Sequence, residues 1–301
     1  MPYRSVEVQV PAKINLQLSV GPKQSDGYHE VVTVFQAVSI FDKVKLSRSE
    51  NFAIEIIGAS NVPTDNSNLV AKAVELMCKK YEIDPNLFVQ IEKKIPVAGG
   101  MAGGSANAAA TLLALDALFS LNLSKDDLSK IGRELGSDVP FMLHGGTAVG
   151  QGRGDEITPA LSRGTYHWVI AVSTAGLSTP AVYGECDRLR AGLDIKSPKL
   201  NDELLQALLT ADSERLGRAL SNDLQLAACS LRPALRLILD IGVDHGALGQ
   251  IVSGSGPSVA FLTADEDHAL DVAVALTSSG VVGNVIRAYG PVPGAKIIEA
   301  N

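Results

Sequence analysis

The segment Pro96-Val97-Ala98-Gly99-Gly100-Met101-Ala102-Gly103-Gly104-Ser105-Ala106-Asn107 joins the strand-like alternation of Leu87–Ile91 to the most helix-prone stretch of the chain, Ser105–Leu121. Few folds use glycines in this way. Glycine lets backbone N–H groups converge with no Cβ between them, and the first N–H groups of a helix carry a partial positive charge. Together they form a cradle for polyphosphate. This chain needs such a local device, because 26 Lys and Arg against 33 Asp and Glu give a formal net charge of −7. A field of that sign repels anions and excludes the phosphate-tracking surfaces of nucleic-acid-binding proteins. The loop is not a Walker A loop, since Ser105 stands where that loop needs Lys. Nor is it a Rossmann fingerprint: GxGxxG is absent, and the glycines follow several strands instead of opening a parallel βαβ unit. Taken alone, they have a second reading as a tight turn against a neighbouring helix.

The surrounding pattern is that of an ordinary folded α/β protein, with 46% hydrophobic and 20% charged residues and no low-complexity tract. Strands are predicted over Val6–Val10, Asn15–Val20, Val31–Ile40 and Phe52–Ile57, and a helix over Asn68–Lys80. Ser124 and Asp127 have capping-box spacing for a further helix ending near Gly136. The second half predicts strands at Tyr166–Val172, Leu248–Val252, Val259–Leu262 and Val285–Tyr289. Between them lie amphipathic helices at Pro180–Arg190, Asp202–Leu209, Pro233–Ile241 and Asp265–Ser278. That order suggests helices packed on one face of an antiparallel sheet. At 301 residues two domains are expected, with a boundary near Gly164. Cys78, Cys186 and Cys229 have neither disulfide nor zinc spacing and are expected to be reduced structural residues. No signal peptide is evident, and the longest apolar run, Ala108–Leu115, is far short of the ~20 residues that span a bilayer. The expectation is a soluble cytoplasmic protein.

Four motifs occur in a fixed order: Pro11-Ala12-Lys13-Ile14-Asn15-Leu16, Asp26-Gly27-Tyr28-His29-Glu30, the loop itself, and Gly136-Ser137-Asp138-Val139-Pro140-Phe141. With the later Ser253-Gly254-Ser255-Gly256-Pro257, this order resembles the GHMP kinases over nearly the whole chain. The first two motifs resemble the branch of that family whose acceptor is a cytidine-diphosphate-linked polyol. The resemblance implies a two-domain α/β (α+β) fold. A ribosomal-protein-S5-domain-2-like ATP-binding domain would occupy 1–164, and a ferredoxin-like α/β sandwich on the substrate side would occupy 165–301. It implies an ATP-dependent kinase with Mg²⁺ as the companion ion and no dedicated protein ligands assigned to it. The loop departs from the family's frequent GGGLGGGSSNAA at Ala98, Met101, Ala102 and Ala106. Alanine is strained at positive φ, so Ala98 and Ala102 are expected at ordinary backbone positions.

Phosphoryl transfer to an alcohol requires alignment, charge neutralisation and an acceptor for the hydroxyl proton. The resemblance gives Asp138 that last role and brings Lys13 to the same site, to offset charge on the transferred group. On its own, an Asp before Val-Pro also fits a helix cap, and Lys13 fits a solvated strand end. Asn15 lies two residues along the strand from Lys13 and so shares its side, in reach of the substrate alcohol or of Asp138. The residues expected to bind ATP are Lys93 and the loop from Pro96 through Val97, Ala98, Gly99, Gly100, Met101, Ala102, Gly103, Gly104 and Ser105 to Ala106. Those expected to bind the acceptor are Asn15, Tyr28, His29 and Thr179, with Tyr28 stacking on a base that the resemblance makes cytosine. The dispersed His144, His167, His245 and His268 are expected to be structural or surface residues. Two alternatives stand beside this reading: a kinase of the same family with another alcohol acceptor, and a nucleotide-binding regulator without catalysis.

Overall fold

A computed structural model of the chain describes residues 3–173 and 176–301. The first half forms β1 (Ser5–Lys23), β2 (His29–Arg48), β3 (Ala53–Ile57), α1 (Leu69–Tyr81), β4 (Leu87–Glu92), α2 (Gly103–Phe119), α3 (Lys125–Leu135), α4 (Val139–His144), β5 (Thr147–Gln151) and β6 (Glu156–Pro159). The second half adds β7 (Tyr166–Val172), α5 (Thr179–Leu189), α6 (Asp202–Thr210), α7 (Ser213–Ala219), β8 (Ser221–Asn222), α8 (Gln225–Leu231) and α9 (Ala234–Asp244). It closes with β9 (Gly249–Val252), β10 (Val259–Thr263), α10 (Glu266–Ser278), β11 (Asn284–Gly290) and β12 (Lys296–Ala300).

The larger sheet runs β12-β1-β2-β4-β3, with β5 and β6 extending from β2 and β8 lying parallel beside β1. The two strands expected before residue 20 are one long strand, because β1 passes through Pro11. Proline donates no ladder hydrogen bond, and the register with β2 shifts between Pro11 and Ala12. The α2 helix packs on β1 and β2, with α1, α3 and α4 beside it. Its Ala and Leu residues are buried nearly all round, which explains why the segment has no polar face. The capping box at Ser124 and Asp127 forms as the spacing predicts.

The smaller sheet, β11-β7-β10-β9, is antiparallel throughout. Both of its faces are covered, not one. Val169, Ala171 and Phe261 pack in a core that also holds Leu235 and Ile238 of α9 and Val272 of α10, while Trp168, Ile170 and Leu262 join the core of the larger sheet. Trp168 Nε1 donates to Gln36 Oε1 at 2.9 Å, so the one polar atom of that ring is satisfied inside the shared core. The chain passes between the sheets in the stretch that holds Gly164. It crosses back twice, through β8 and through β12, both of which pair with β1. The elements not anticipated from sequence are short: α4, α7 and α8 give too few turns for a helical period, and β5, β6, β8 and β12 are brief or half exposed. Cys186 and Cys229 are buried and all three cysteines are free. Among the described residues no helix is long and apolar enough to cross a membrane.

Candidate active site

Lys13 sits in the middle of β1 and is almost fully buried, at 5% exposure. Its backbone N–H donates to the Met101 carbonyl at 3.3 Å, which ties the strand to the glycine-rich loop. The ammonium donates to Asn15 Oδ1 at 2.7 Å and lies 3.9 Å from Asp138 Oδ2. A chain of bonds continues away from it: Asn15 Nδ2 donates to Thr33 Oγ1 at 2.8 Å, and Thr33 Oγ1 donates to the Gln17 carbonyl at 2.6 Å. Asn15 is thereby held with its oxygen toward Lys13. Burial pushes the Lys13 ammonium below the ordinary lysine value of 10.5, and the neighbouring Asp138 carboxylate partly offsets that.

Asp138 stands at the start of α4, yet its side chain makes no capping hydrogen bond. The competing reading of this residue as a helix cap therefore fails. Its carboxylate remains partly exposed and lines a cleft of about 340 Å³ together with Lys13, Asn15, Gly100, Gly103 and Thr179. The loop lines the same cleft. Gly100 has φ +74°, and a Cβ there would come within 2.2 Å of the Ser253 carbonyl oxygen, so only glycine fits. The Ser253–Pro257 turn thus packs against the loop from the other sheet. Gly254 brings that turn over Lys13 and Asn15, since a Cβ on it would lie 3.3 Å from Lys13 Nζ and 3.4 Å from Asn15 Oδ1. The α2 helix begins at Gly103 with no side-chain cap and no acidic residue in its first turn, leaving its first N–H groups for an anion.

The expectation for Ala98 and Ala102 is corrected: both are left-handed, at φ 54° and 56°. Their neighbours hold them there; Ala102 is the residue that turns the loop into α2. Lys93 lines a smaller lobe beside the central cleft and not the cleft itself. Its ammonium is committed to Asp42 and to Asn107 Oδ1, the latter at 3.0 Å, and is not directed at the central cleft. Met101 and Ala106 turn their side chains into the core, so only their backbone is left for a ligand, and Ala106 shows that a second hydroxyl here would face apolar surroundings. Ser105 is half-buried, and its hydroxyl points toward Gly136.

Two lobes open from the cleft. The first, of about 200 Å³, shares Pro96, Ala98, Gly103 and Gly104 with it and adds Val97, Lys93 and Asn107 together with the 61–69 segment. The second, of about 760 Å³, shares Val31, Ser137, Arg153, Thr179 and Tyr183 and adds Tyr28, His29 and Asp187. His29 Nε2 lies 2.7 Å from Asp187 Oδ1, and its ring is 5.1 Å from that of Tyr183. Tyr28 is exposed, with the Arg153 guanidinium 3.9 Å over its ring. Arg153 also donates to Asp26 Oδ2 at 3.0 Å. Thr179 Oγ1 is 2.9 Å from Ser255 Oγ. The Tyr183 hydroxyl is pushed up to about 12 by burial and by Asp138, so it stays protonated. Sequence reasoning did not single out Arg153, Tyr183 or Asp187. Arg153 sits in a Gly-Arg-Gly turn that is a usable signal, whereas Tyr183 and Asp187 are ordinary helix positions on α5.

Residues 68–146 match the family of GHMP kinases N terminal domain, and residues 204–282 match GHMP kinases C terminal. A 4-diphosphocytidyl-2-C-methyl-D-erythritol kinase from Rhodococcus jostii (strain RHA1) is 52% identical over 300 residues, covering 98% of this chain and 96% of that protein. The protein of the same name from Mycobacterium tuberculosis (strain ATCC 25618 / H37Rv) is 49% identical over 304 residues, covering 100% and 95%. Among solved structures, a 4-(cytidine 5'-diphospho)-2C-methyl-D-erythritol kinase superposes with TM-score 0.77 at 30% identity, covering 94% of this chain and 98% of the other. A homoserine kinase from Cytophaga hutchinsonii superposes with TM-score 0.75 at 20% identity, covering 98% of each chain, a likeness of fold alone.

Proposed function

The chain belongs to the GHMP kinase family, and from that premise we propose that it transfers the γ-phosphoryl group of ATP to the 2-hydroxyl of 4-diphosphocytidyl-2-C-methyl-D-erythritol. The products are the 2-phosphate and ADP, a step of the non-mevalonate (methylerythritol phosphate) route to isoprenoids. The observation that carries the reading is the position of Lys13, Asn15 and Asp138 in the cleft where the two lobes meet. A nucleotide and a nucleotide-like acceptor reach the same reacting centre from opposite ends.

In this reading ATP lies in the smaller lobe, with its phosphates over the loop from Pro96 to Ser105 and the first N–H groups of α2. The acceptor lies in the larger lobe, its base between Tyr28 and His29 and its polyol near Thr179 and Asn15. Asp138 Oδ2 receives the hydroxyl proton as the new P–O bond forms. A carboxylate is a far weaker base than an alkoxide, but a loose transition state needs proton capture only late. Lys13 Nζ balances charge on the transferred group from inside a low-dielectric site, where one ammonium acts more strongly than in water. Asn15, fixed by Thr33, keeps that ammonium from swinging away.

Mg²⁺ fits the donor set. Asp138 is the only carboxylate lining the cleft among the described residues, and none of them form a group of three or more His, Cys, Asp or Glu able to hold a metal. A hard ion that keeps its waters and takes phosphate oxygens needs no more than that. When bound beside Asp138 it would supply charge neutralisation to the phosphates of ATP.

A coupled ADP-release assay tests the proposal. ADP is expected with the cytidylated methylerythritol and not with homoserine or mevalonate. Release with either of those instead would transfer the chain to another branch of the family, and no release with any alcohol would favour the regulator.

A further inference from the structure

Asp42 lines neither the cleft nor either lobe, and its side chain is wholly buried near the end of β2. It is nevertheless saturated with donors. Asp42 Oδ1 accepts from the backbone N–H groups of Lys94 at 2.7 Å and Ile95 at 2.8 Å, the two residues that lead into Pro96. Asp42 Oδ2 accepts from Asn107 Nδ2 at 2.8 Å and from the Lys93 ammonium. Asn107 belongs to the second turn of α2, so one carboxylate grips the chain on both sides of the glycine-rich loop. The Lys93 ammonium, held between Asp42 and Asn107, sits directly behind the loop's exit: a Cβ on Gly103 would lie 3.0 Å from Lys93 Nζ.

We propose that Asp42 is a positioning residue for ATP, fixing the entry and exit of the phosphate loop and the placement of Lys93 beneath Gly103. The proposal rests on the assignment of ATP to the smaller lobe. A carboxylate has about four lone-pair sites, and all four here are occupied by groups belonging to that half of the site. Stability alone gives a poor reason for such a pair, since a buried ion pair is often no more stabilising than apolar residues of the same volume. What the pair supplies is geometry. No donor to Asp42 lines the acceptor lobe, so a disturbance here falls first on the nucleotide.

Asp42→Asn keeps the volume, removes the charge that holds Lys93, and offers an amide where two donors now point. Calorimetric titration with ATP is expected to show affinity lowered roughly tenfold, as suits a small displacement of a positioning group. The KM for the cytidylated acceptor, measured at saturating ATP, is expected to stay within about twofold, a split that general loosening of the fold would not produce. A folded Asp42→Asn protein with unchanged ATP affinity, or with both ligands weakened alike, overturns the proposal. Should that variant not fold, Asp42→Glu keeps every charge and moves the carboxylate by one methylene. The same selective loss of ATP supports the proposal there, and its absence ends it. The ATP titration requires no turnover, so a failure to phosphorylate the cytidylated alcohol counts against the function proposed above, while the role of Asp42 is decided by ATP binding alone.

Discussion

The two lobes serve the same cleft but are built from different materials. The lobe proposed for ATP is made of backbone and of buried groups: the loop, the uncapped start of α2, and a base of Asp42, Lys93 and Asn107. The lobe proposed for the acceptor is made of side chains at the rims of separate elements: Tyr28 from the β1–β2 connection, Arg153 from the β5–β6 turn, and Tyr183 and Asp187 from α5. Tyr28 is 56% exposed, whereas Asp42 is completely buried. A polyphosphate is the same in every ATP and suits a rigid backbone cradle, while an acceptor specific to one enzyme is read by replaceable side chains on loops. The difference teaches where to look for generality and where to look for specificity.

Asp138 lies between the two lobes, and its loss is expected to have the largest effect. Asp138→Asn should lower kcat by roughly 10²–10⁴-fold through loss of the proton acceptor, with the KM for ATP little changed. Steady-state kinetics with both substrates varied would reveal it, and undiminished turnover would remove Asp138 from the chemistry. His29→Ala tests the division itself. Its ring bridges Asp187 and the acceptor lobe, so a rise of roughly fivefold to tenfold in acceptor KM is expected, about one hydrogen bond's worth, with ATP unaffected. Equal changes for both substrates would mean that the lobes are not separate.

The smallest effect concerns pH. Because burial disfavours the charged form of Lys13, the free enzyme should lose its ammonium, and its kcat/KM, as pH rises to values still below 10.5. Bound phosphates favour the ammonium, so the matching fall in kcat should lie at higher pH. A Lys13→Arg protein should show neither fall in that range, since guanidinium stays charged there. Profiles of kcat and kcat/KM that coincide on the alkaline side would show that the phosphates do not face Lys13.

The same contrast explains what was legible in the sequence. The loop, its helix and the order of the four motifs are local, so their chemistry appears as neighbouring letters from Pro96 to Asn107. Long elements with a clear period, such as α1 and α10, were legible for the same reason. Asp187 was not, because it comes to His29 from a distant part of the chain and resembles any surface carboxylate on a helix. Asp42 was hidden in another way: it lies just past the strand predicted over Val31–Ile40, next to Lys43, and only folding brings Lys93 and Asn107 to it. The Ala98 and Ala102 expectation failed because a local preference for negative φ was overridden by what packs around the loop.

Those two alanines have a consequence for how often the enzyme must bring its loop to order. An L-residue in the left-handed region is disfavoured by roughly 1–2 kcal/mol, so the bends at 98 and 102 persist because the rest of the molecule imposes them. A slack loop would surrender its freedom anew with each arriving nucleotide. Here that surrender happens once, when the chain folds, and every later catalytic cycle starts from a seat already shaped.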